Sequence, residues 1–305
     1  MNKTYLEIMF DGPFSFELTF QQHHRTTETL QSMVVIPDKR RFVKWIHIDG
    51  KPFLLDAVVQ IEGERVTIFV NDSGLETVDD KKLVSVYFTR MFGLSNSLSD
   101  FYKSFGNNDV VKQLIDQFYG MRVVTNPDLF ETVIDTIIGQ QVNLKFAATL
   151  KERLVRLAGE IRPVEGCDLY LFPTADFLAQ LDYEQLRELS FSQRKAEYII
   201  DFSRLVTSKS LDLDRLWEAS NEEIIKQLLP IRGIGLWTIE CLMLFGLHRK
   251  DVLPAADIGV RNAVRKIYSL EHQPSDDEVR TIAFDGGWNP WESYITYYLW
   301  QYLKK

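Results

Sequence analysis

The sequence predicts an α+β protein, with an N-terminal antiparallel β-sheet domain and flanking helices over residues 1–110 and an all-α region over residues 111–305. Two patterns along the chain carry that prediction. Up to about residue 72 the apolar positions are aromatic or β-branched and stand in short runs separated by turn residues. From about residue 78 they recur at every third and fourth position, the spacing that lines one face of a helix. A chain of 305 residues, 45% of them hydrophobic, can bury more than one core, which suits two or three lobes.

In the first part, FSFELTF (14–20), FVKWIHI (42–48), FLLDAVVQI (53–61) and RVTIFV (65–70) are predicted as strands. Asp11-Gly12-Pro13, Pro37-Asp38, Asp49-Gly50-Lys51-Pro52 and Glu62-Gly63-Glu64 supply turns that join such strands as hairpins or a meander. No catalytic grouping stands out. His23 and His24 are adjacent, with no third ligand at metal spacing, and are expected as a surface pair; no metal site is predicted.

In the second part, Asn126-Pro127 predicts the cap and first position of a helix. Its apolar residues Phe130, Val133, Ile134, Ile137 and Ile138 share a face, and Gly139 ends it. Further helices are predicted over about 142–158, 175–188, 192–206, 236–246, 258–269 and 276–284. Another is capped by Asn221 and buries Ile224, Ile225, Leu228 and Leu229. The last helix is expected to start at Asn289-Pro290 and to bury Trp291, Tyr294, Ile295, Tyr298, Leu299 and Tyr302. Trp300, nine residues past Trp291, falls on the opposite side at about 100° per residue.

Composition excludes several classes. Two cysteines, Cys167 and Cys241, build neither a disulfide framework nor a four-thiolate zinc or iron–sulfur site, and are expected as buried small hydrophobes. No apolar run reaches the roughly 18 residues of a membrane span, and MNKTYLEIMFDG lacks the layout of a secretory signal. A cytoplasmic monomer is expected, nucleoid-associated if the cell is bacterial. The net charge of −8 weighs mildly against a nucleic-acid partner. Lys145, Lys151, Arg153, Arg156, Arg194, Lys195, Arg232, Arg261, Arg265 and Lys266 nevertheless gather around the motifs below and could form a local basic face, although each one alone reads as a solvated cation.

Residues 229–257 read LPIRGIGLWTIECLMLFGLHRKDVLPAAD: a helix stops at Pro230, a turn holds Gly233 and Gly235, and an apolar helix follows at once. Glycines there permit positive φ and close approach to a ligand. The free N–H groups at the second helix's start favour an anion such as a DNA phosphate. Alone, Gly-x-Gly reads better as a tight connection between two helices. Asp257 alone is likewise a plain N-cap for the run Ile258, Val260, Val264 and Ile267, worth about 1 kcal/mol.

Together these residues resemble the helix-hairpin-helix DNA glycosylase superfamily, whose hairpin reads close to L-P-G-I-G-x-x-T-A with a catalytic aspartate about twenty residues on. Here Leu229-Pro230, Gly233-Ile234-Gly235 and Thr238 match, and Asp257 stands 22 residues past Gly235. Ile231-Arg232 is inserted before the first glycine, and Ile239 replaces the alanine. FETVIDTIIGQQVN, YLFPTADFLAQL, FSQRKAEYII and WNPWESYITYYLW are similar, in the same order, to segments of the alkylation-repair branch, the DNA-3-methyladenine glycosylase II type. Glu292 stands where that branch carries arginine. The resemblance covers most of residues 120–305 and implies a helix-hairpin-helix glycosylase domain with its hairpin over about 221–246.

What the resemblance implies is a base-excising enzyme of double-stranded DNA. Asp257 is the catalytic carboxylate facing an oxocarbenium-like sugar, and Gly233, Gly235 and Thr238 bind a DNA phosphate. Trp237 and Trp300 wall a base pocket that attracts cationic alkylated purines. Cys241 and Ile258 stand where the branch can carry tyrosines, giving a roomier or less aromatic pocket. Gln141 is the wedge that fills the gap left by the flipped base, although a glutamine bonding loop backbone is an equal reading. Trp237 also occupies the place of the lysine used by glycosylases that cleave the strand, so water is the expected nucleophile. A bifunctional enzyme would need Lys145 or Lys195, and a noncatalytic damage-binding protein of the same fold is the other alternative. No cofactor is expected to be required, with a monovalent cation at the hairpin carbonyls as a family habit. The N-terminal sheet resembles the β-domain that precedes the helices in this branch.

Overall fold

The computed structural model describes residues 6–24, 30–71 and 75–304, and of Gln22 and His24 the backbone alone. Strand β1 (Leu6–Asp11) leads through helix α1 (Phe16–His24) to β2 (Leu30–Gln31), β3 (Met33–Ile36), β4 (Arg41–Ile48), β5 (Lys51–Glu62) and β6 (Arg65–Asn71). Helices α2 (Val78–Met91), α3 (Leu98–Ser104), α4 (Asp109–Gln117), α5 (Leu129–Gly139) and α6 (Leu144–Ala158) follow, then β7 (Glu160–Val164) and β8 (Cys167–Leu171). The chain closes with α7 (Ala175–Gln180), α8 (Tyr183–Glu188), α9 (Gln193–Thr207), α10 (Asn221–Leu228), α11 (Leu236–Phe245), α12 (Ile258–Ile267), α13 (Asp276–Asp285) and α14 (Glu292–Leu303).

The five-stranded antiparallel sheet has the order β1-β6-β5-β4-β3. Alternation along β5 and β6 buries Phe53, Leu55, Ala57, Val59, Val66, Ile68 and Val70, which pack with Phe16 and Phe20 of α1 and Val84, Phe88 and Met91 of α2. The predicted strand over 14–20 is instead part of α1. Phe16 and Phe20 lie four apart and are fully buried, so FSFELTF satisfies a helical stripe as well as an alternating one. Pro13 and Ser15, whose Oγ accepts from Leu18 N, favour the helix start.

The second part is not wholly helical. A β7–β8 hairpin interrupts it, turning at Glu165 and Gly166, both at positive φ, and β8 pairs in parallel with β2. Leu169 and Leu171 pack against Val34, Val43 and Trp45 on the other face of the large sheet. The predicted helix over 175–188 is two, divided where Asp182 forms a capping box with Gln185. Three caps also shift by one or two residues: Asp128 rather than Asn126 caps α5, Ser220 rather than Asn221 caps α10, and α14 begins at Glu292, after Asn289-Pro290. In the first two cases a neighbouring side chain meets the free N–H groups, Asp128 at Glu131 N and Ser220 at Glu223 N, a choice that composition does not resolve, while α14 starts without a side-chain cap.

Two helical cores complete the structure. One gathers α5–α11 around Val133, Ile134, Ile137, Leu154, Ile199, Ile200, Ile239 and Leu242. The other joins α3 and α4 to α12–α14 around Phe101, Phe118, Trp288, Trp291, Tyr294 and Tyr298, while Tyr302 is only partly buried. Cys241 is buried as expected, but Cys167 is half-exposed. No helix among the described residues is long and apolar enough to cross a membrane.

Candidate active site

Helices α10 and α11 and their connecting residues 229–235 form the helix, hairpin and helix predicted from the sequence. Turn hydrogen bonds run from Ile231 N to Leu228 O and from Ile234 N to Ile231 O, at 3.0 Å each. Gly233 has φ +89°, and a Cβ there would lie 2.3 Å from Cγ of Tyr198, so both backbone and packing require glycine. Gly235 differs from expectation. Its φ is −100°, and it is exposed with open space where a Cβ would stand. It caps α11 without any side-chain hydrogen bond, which leaves first-turn N–H groups open to an anion.

Thr238, expected at the phosphate, is turned inward and buried. Its hydroxyl accepts from Nε2 of Gln140 at 3.0 Å, and the same amide donates to Gly233 O at 2.9 Å. Gln140, just beyond α5, thus ties the hairpin to the helical core. Gln141, the expected wedge, follows at the α5–α6 junction, exposed and at φ +54°. Leu144, one turn on, is 86% exposed beside it.

Asp257 is half-buried at the N-cap of α12, where Oδ1 accepts from Val260 N at 3.0 Å. Both candidate tryptophans converge on this carboxylate. Trp300 Nε1 donates to Oδ1 at 3.1 Å and Trp237 Nε1 to Oδ2 at 3.3 Å. The sequence suggested them only as stacking walls; the fold makes them donors that orient the carboxylate. One reason Trp300 can reach is Gly259, where a Cβ would lie 2.9 Å from both Asp257 Oδ1 and Trp300 Nε1. Gly259 is missing from the sequence reading, yet a glycine two residues past an N-cap, inside a helix it weakens, was the available signal. Ile258, beside the carboxylate, is 63% exposed.

A cleft of about 340 Å³ opens between α5 and α11, under the β-sheet domain; Asp257 does not line it but is joined to its wall through Trp237. Trp237, Cys241 and Phe245, four residues apart on α11, form one wall. Trp300 does not line it but stacks on Phe245, with ring centroids 5.3 Å apart and planes at 16°. Glu131, Thr132, Asp135, Thr136 and Gly139 form the α5 wall, Lys151 reaches in from α6, and His23, Ser32, Met33 and Lys44 come from the N-terminal domain. His23 therefore faces the cleft rather than the open surface, and the side chain of its neighbour His24 lies outside the described residues. Among the described residues no group of three His, Cys, Asp or Glu side chains could hold a metal ion.

Several of the gathered cations also face inward. Lys195 is buried and donates to Ile138 O at the end of α5. Lys151 pairs with Glu131 and Asp135, Arg153 donates to Leu189 O, and Arg261 to Pro274 O. Lys145 and Arg194 stay exposed. Arg232, inserted in the hairpin, pairs with Glu197 and lies over the Tyr198 ring.

Comparison with known proteins agrees with this geometry. The family model described as HhH-GPD superfamily base excision DNA repair protein matches residues 134–286. The chain is 30% identical over 296 residues to the DNA-3-methyladenine glycosylase of Bacillus subtilis, covering 97% of each chain. It superposes on the 3-methyladenine DNA glycosylase of Archaeoglobus fulgidus with a TM-score of 0.83 at 28% identity, covering 98% of both chains. The 3-methyladenine DNA glycosylase Mag1 of Schizosaccharomyces pombe in complex with abasic DNA aligns with 66% of this chain and 94% of its own, at 27% identity and a TM-score of 0.55. With the hairpin, the capped carboxylate and the cleft in one place, the chain belongs to the HhH-GPD superfamily of base excision DNA repair proteins.

Proposed function

We propose that the protein is a monofunctional DNA glycosylase that flips alkylated purines from double-stranded DNA and hydrolyses the N-glycosidic bond, leaving an abasic site. The observation that carries this reading is the Asp257 carboxylate, held by Val260 N and two indole N–H groups, one of them from Trp237 on the wall of the cleft. A fixed anion there stabilises the positive charge that develops on the sugar as the bond breaks. The relatives named for 3-methyladenine, and Mag1 bound to abasic DNA, support the substrate class and the partner.

In this reading the first-turn N–H groups of α11, presented by Gly233 and Gly235, hold a DNA phosphate, and Gln141 fills the space of the flipped base. The Trp237 face and Phe245 receive an electron-poor base. Thr238 contributes from inside, as the group Gln140 holds. Lysine chemistry is disfavoured by placement: Lys195 is buried on the Ile138 carbonyl, Lys145 is exposed on α6, and Trp237 fills the position next to the hairpin. No cofactor is required. The hairpin carbonyls are the groups that would hold a monovalent cation. Those of Ile231 and Gly233 accept one hydrogen bond each, and each keeps a second lone pair.

The test is to incubate the protein with methylated duplex DNA, identify the released bases, and add borohydride in parallel. Release of methylated purines without a trapped protein–DNA adduct is expected. A trapped adduct would replace water by an amine, and binding without release would leave a damage-binding protein.

A further inference from the structure

The polar wall of the cleft is built unlike its aromatic wall. Lys44, on β4, is 94% buried because only 6% of its surface is exposed, yet its ammonium has one long contact, 3.5 Å to Ser32 O. An ammonium carries three donors, so this group is short of protein acceptors. In the same cleft, Asp135 of α5 accepts from Lys151 Nζ through Oδ2, while its buried Oδ1 carries no hydrogen bond. Glu131 is the better satisfied carboxylate, accepting from both Lys151 and Tyr170. Burial lowers the Lys44 ammonium and raises the Asp135 carboxyl from their ordinary ranges, the sign of charges that lack solvation.

A purely structural role explains this badly. Buried ion pairs contribute little net stability, and apolar side chains of the same volume would pack the site without desolvating a charge. A cavity with an aromatic wall and a few under-satisfied polar groups fits a ligand whose edge satisfies them. The volume, about 340 Å³, is at the small end for such sites and suits a single nucleobase.

We propose that Lys44 and Asp135 form a donor and acceptor pair that reads the edge of the flipped base, and that the pair selects adenine-type bases. Lys44 donates to a ring nitrogen, and Asp135 accepts from the adjacent exocyclic amino group. Oδ1 is shielded in the ligand-free arrangement, so a turn about the soft χ2 torsion of the carboxylate brings it to that amino group as the base enters. A guanine-type base presents a carbonyl where adenine presents the amine, which places an acceptor against an acceptor. The β-sheet domain thereby supplies a base-reading residue to a site whose chemistry lies in the helices. This assignment rests on the proposed glycosylase reading for its substrate, but base recognition is measurable without catalysis.

Two measurements test it on the full chain. In the first, quenching of tryptophan fluorescence reports binding of free adenine and of free hypoxanthine. The wild type should prefer adenine by about tenfold or more, and Asp135→Asn and Lys44→Met should each reduce the preference to within about threefold. Equal affinity of the wild type for both bases overturns the proposal, whether or not the protein excises anything. In the second, 3-methyladenine and 7-methylguanine released from methylated DNA are quantified for the same variants, with thermal melting to show that each is folded. Asp135→Asn should slow 3-methyladenine release about tenfold or more and 7-methylguanine release less than threefold. An equal fall for both bases in a folded variant would also overturn the pair as a reader. If the wild type releases neither base but keeps the adenine preference, the glycosylase reading fails and the recognition pair stands.

Discussion

Trp300 donates its indole N–H to Asp257 at 3.1 Å, on the same carboxylate oxygen that caps α12 through Val260 N. That oxygen is thereby fixed from two sides, while the other receives Trp237 at 3.3 Å. A hydrogen bond to a charged group contributes about 1.5–3 kcal/mol, or about 10- to 150-fold in rate if it acts only on the reacting arrangement. Trp300→Phe keeps an aromatic ring against Phe245 and removes the donor. We expect single-turnover base excision to fall about 10- to 100-fold with DNA affinity within threefold, and a loss confined to affinity would reject the orienting role.

Gly259 offers a sharper test, because substitution there should separate stability from activity. Alanine strengthens a helix interior by up to about 1 kcal/mol relative to glycine. Its Cβ, however, would stand 2.9 Å from both the carboxylate and the Trp300 nitrogen. Gly259→Ala should therefore slow excision at least tenfold without lowering the melting temperature by more than a few degrees. Unchanged single-turnover kinetics would show that the Trp300 contact is dispensable.

The catalytic role proposed for Asp257 can be separated from its capping role in the same way. Asparagine caps helices about as well as aspartate, so Asp257→Asn should melt close to the wild type while losing excision by at least a thousandfold and keeping duplex affinity. Asp257→Ala should lose the reaction and about 1 kcal/mol of stability as well. Excision by Asp257→Asn at the wild-type rate would remove the carboxylate from the chemistry.

At the hairpin, Gln140 holds Gly233 O and Thr238 Oγ1 at once. Gln140→Ala should weaken duplex binding about tenfold at fixed salt, with the bound complex reacting at nearly the normal rate. Gly233→Ala should be worse, since it meets the Tyr198 ring and a positive φ together. Electrophoretic or anisotropy titrations at one ionic strength decide this, and unaltered affinity for both variants would exclude a DNA-holding hairpin.

Glu240 of α11 gives the pH dependence. Burial raises its carboxyl to about 7, Arg280 at 4.0 Å opposes that rise, and the nearby Asp257 charge adds to it. A carboxyl whose folded value lies above its unfolded value of 4.5 binds more protons when folded, so stability falls as pH rises from about 4.5 to about 7. Glu240→Gln should raise the melting temperature relative to the wild type at pH 8 and should show a smaller difference at pH 5. A difference that is constant across that range would remove Glu240 from the linkage.

The sequence alone determined the order of the architecture, the strands at 42–48, 53–61 and 65–70, the hairpin glycines and the capping carboxylate Asp257. These follow from local rules: alternation, a three-to-four period, proline and glycine as stops, and acceptors before helices. Local rules misplaced residues 14–20, because Phe16 and Phe20 fit two periods and only packing against the sheet selects the helix. They also missed the β7–β8 hairpin, which is completed by β2, more than 130 residues earlier in the chain than β8. The tertiary structure alone turned Thr238 and Lys195 inward, brought Lys44 of the sheet and Asp135 of α5 to one cleft, and swung Trp237 and Trp300 onto one carboxylate. Hydrogen bonds between side chains 20 and 43 residues apart have no period to leave in a sequence, since their partners meet only when separate helices pack.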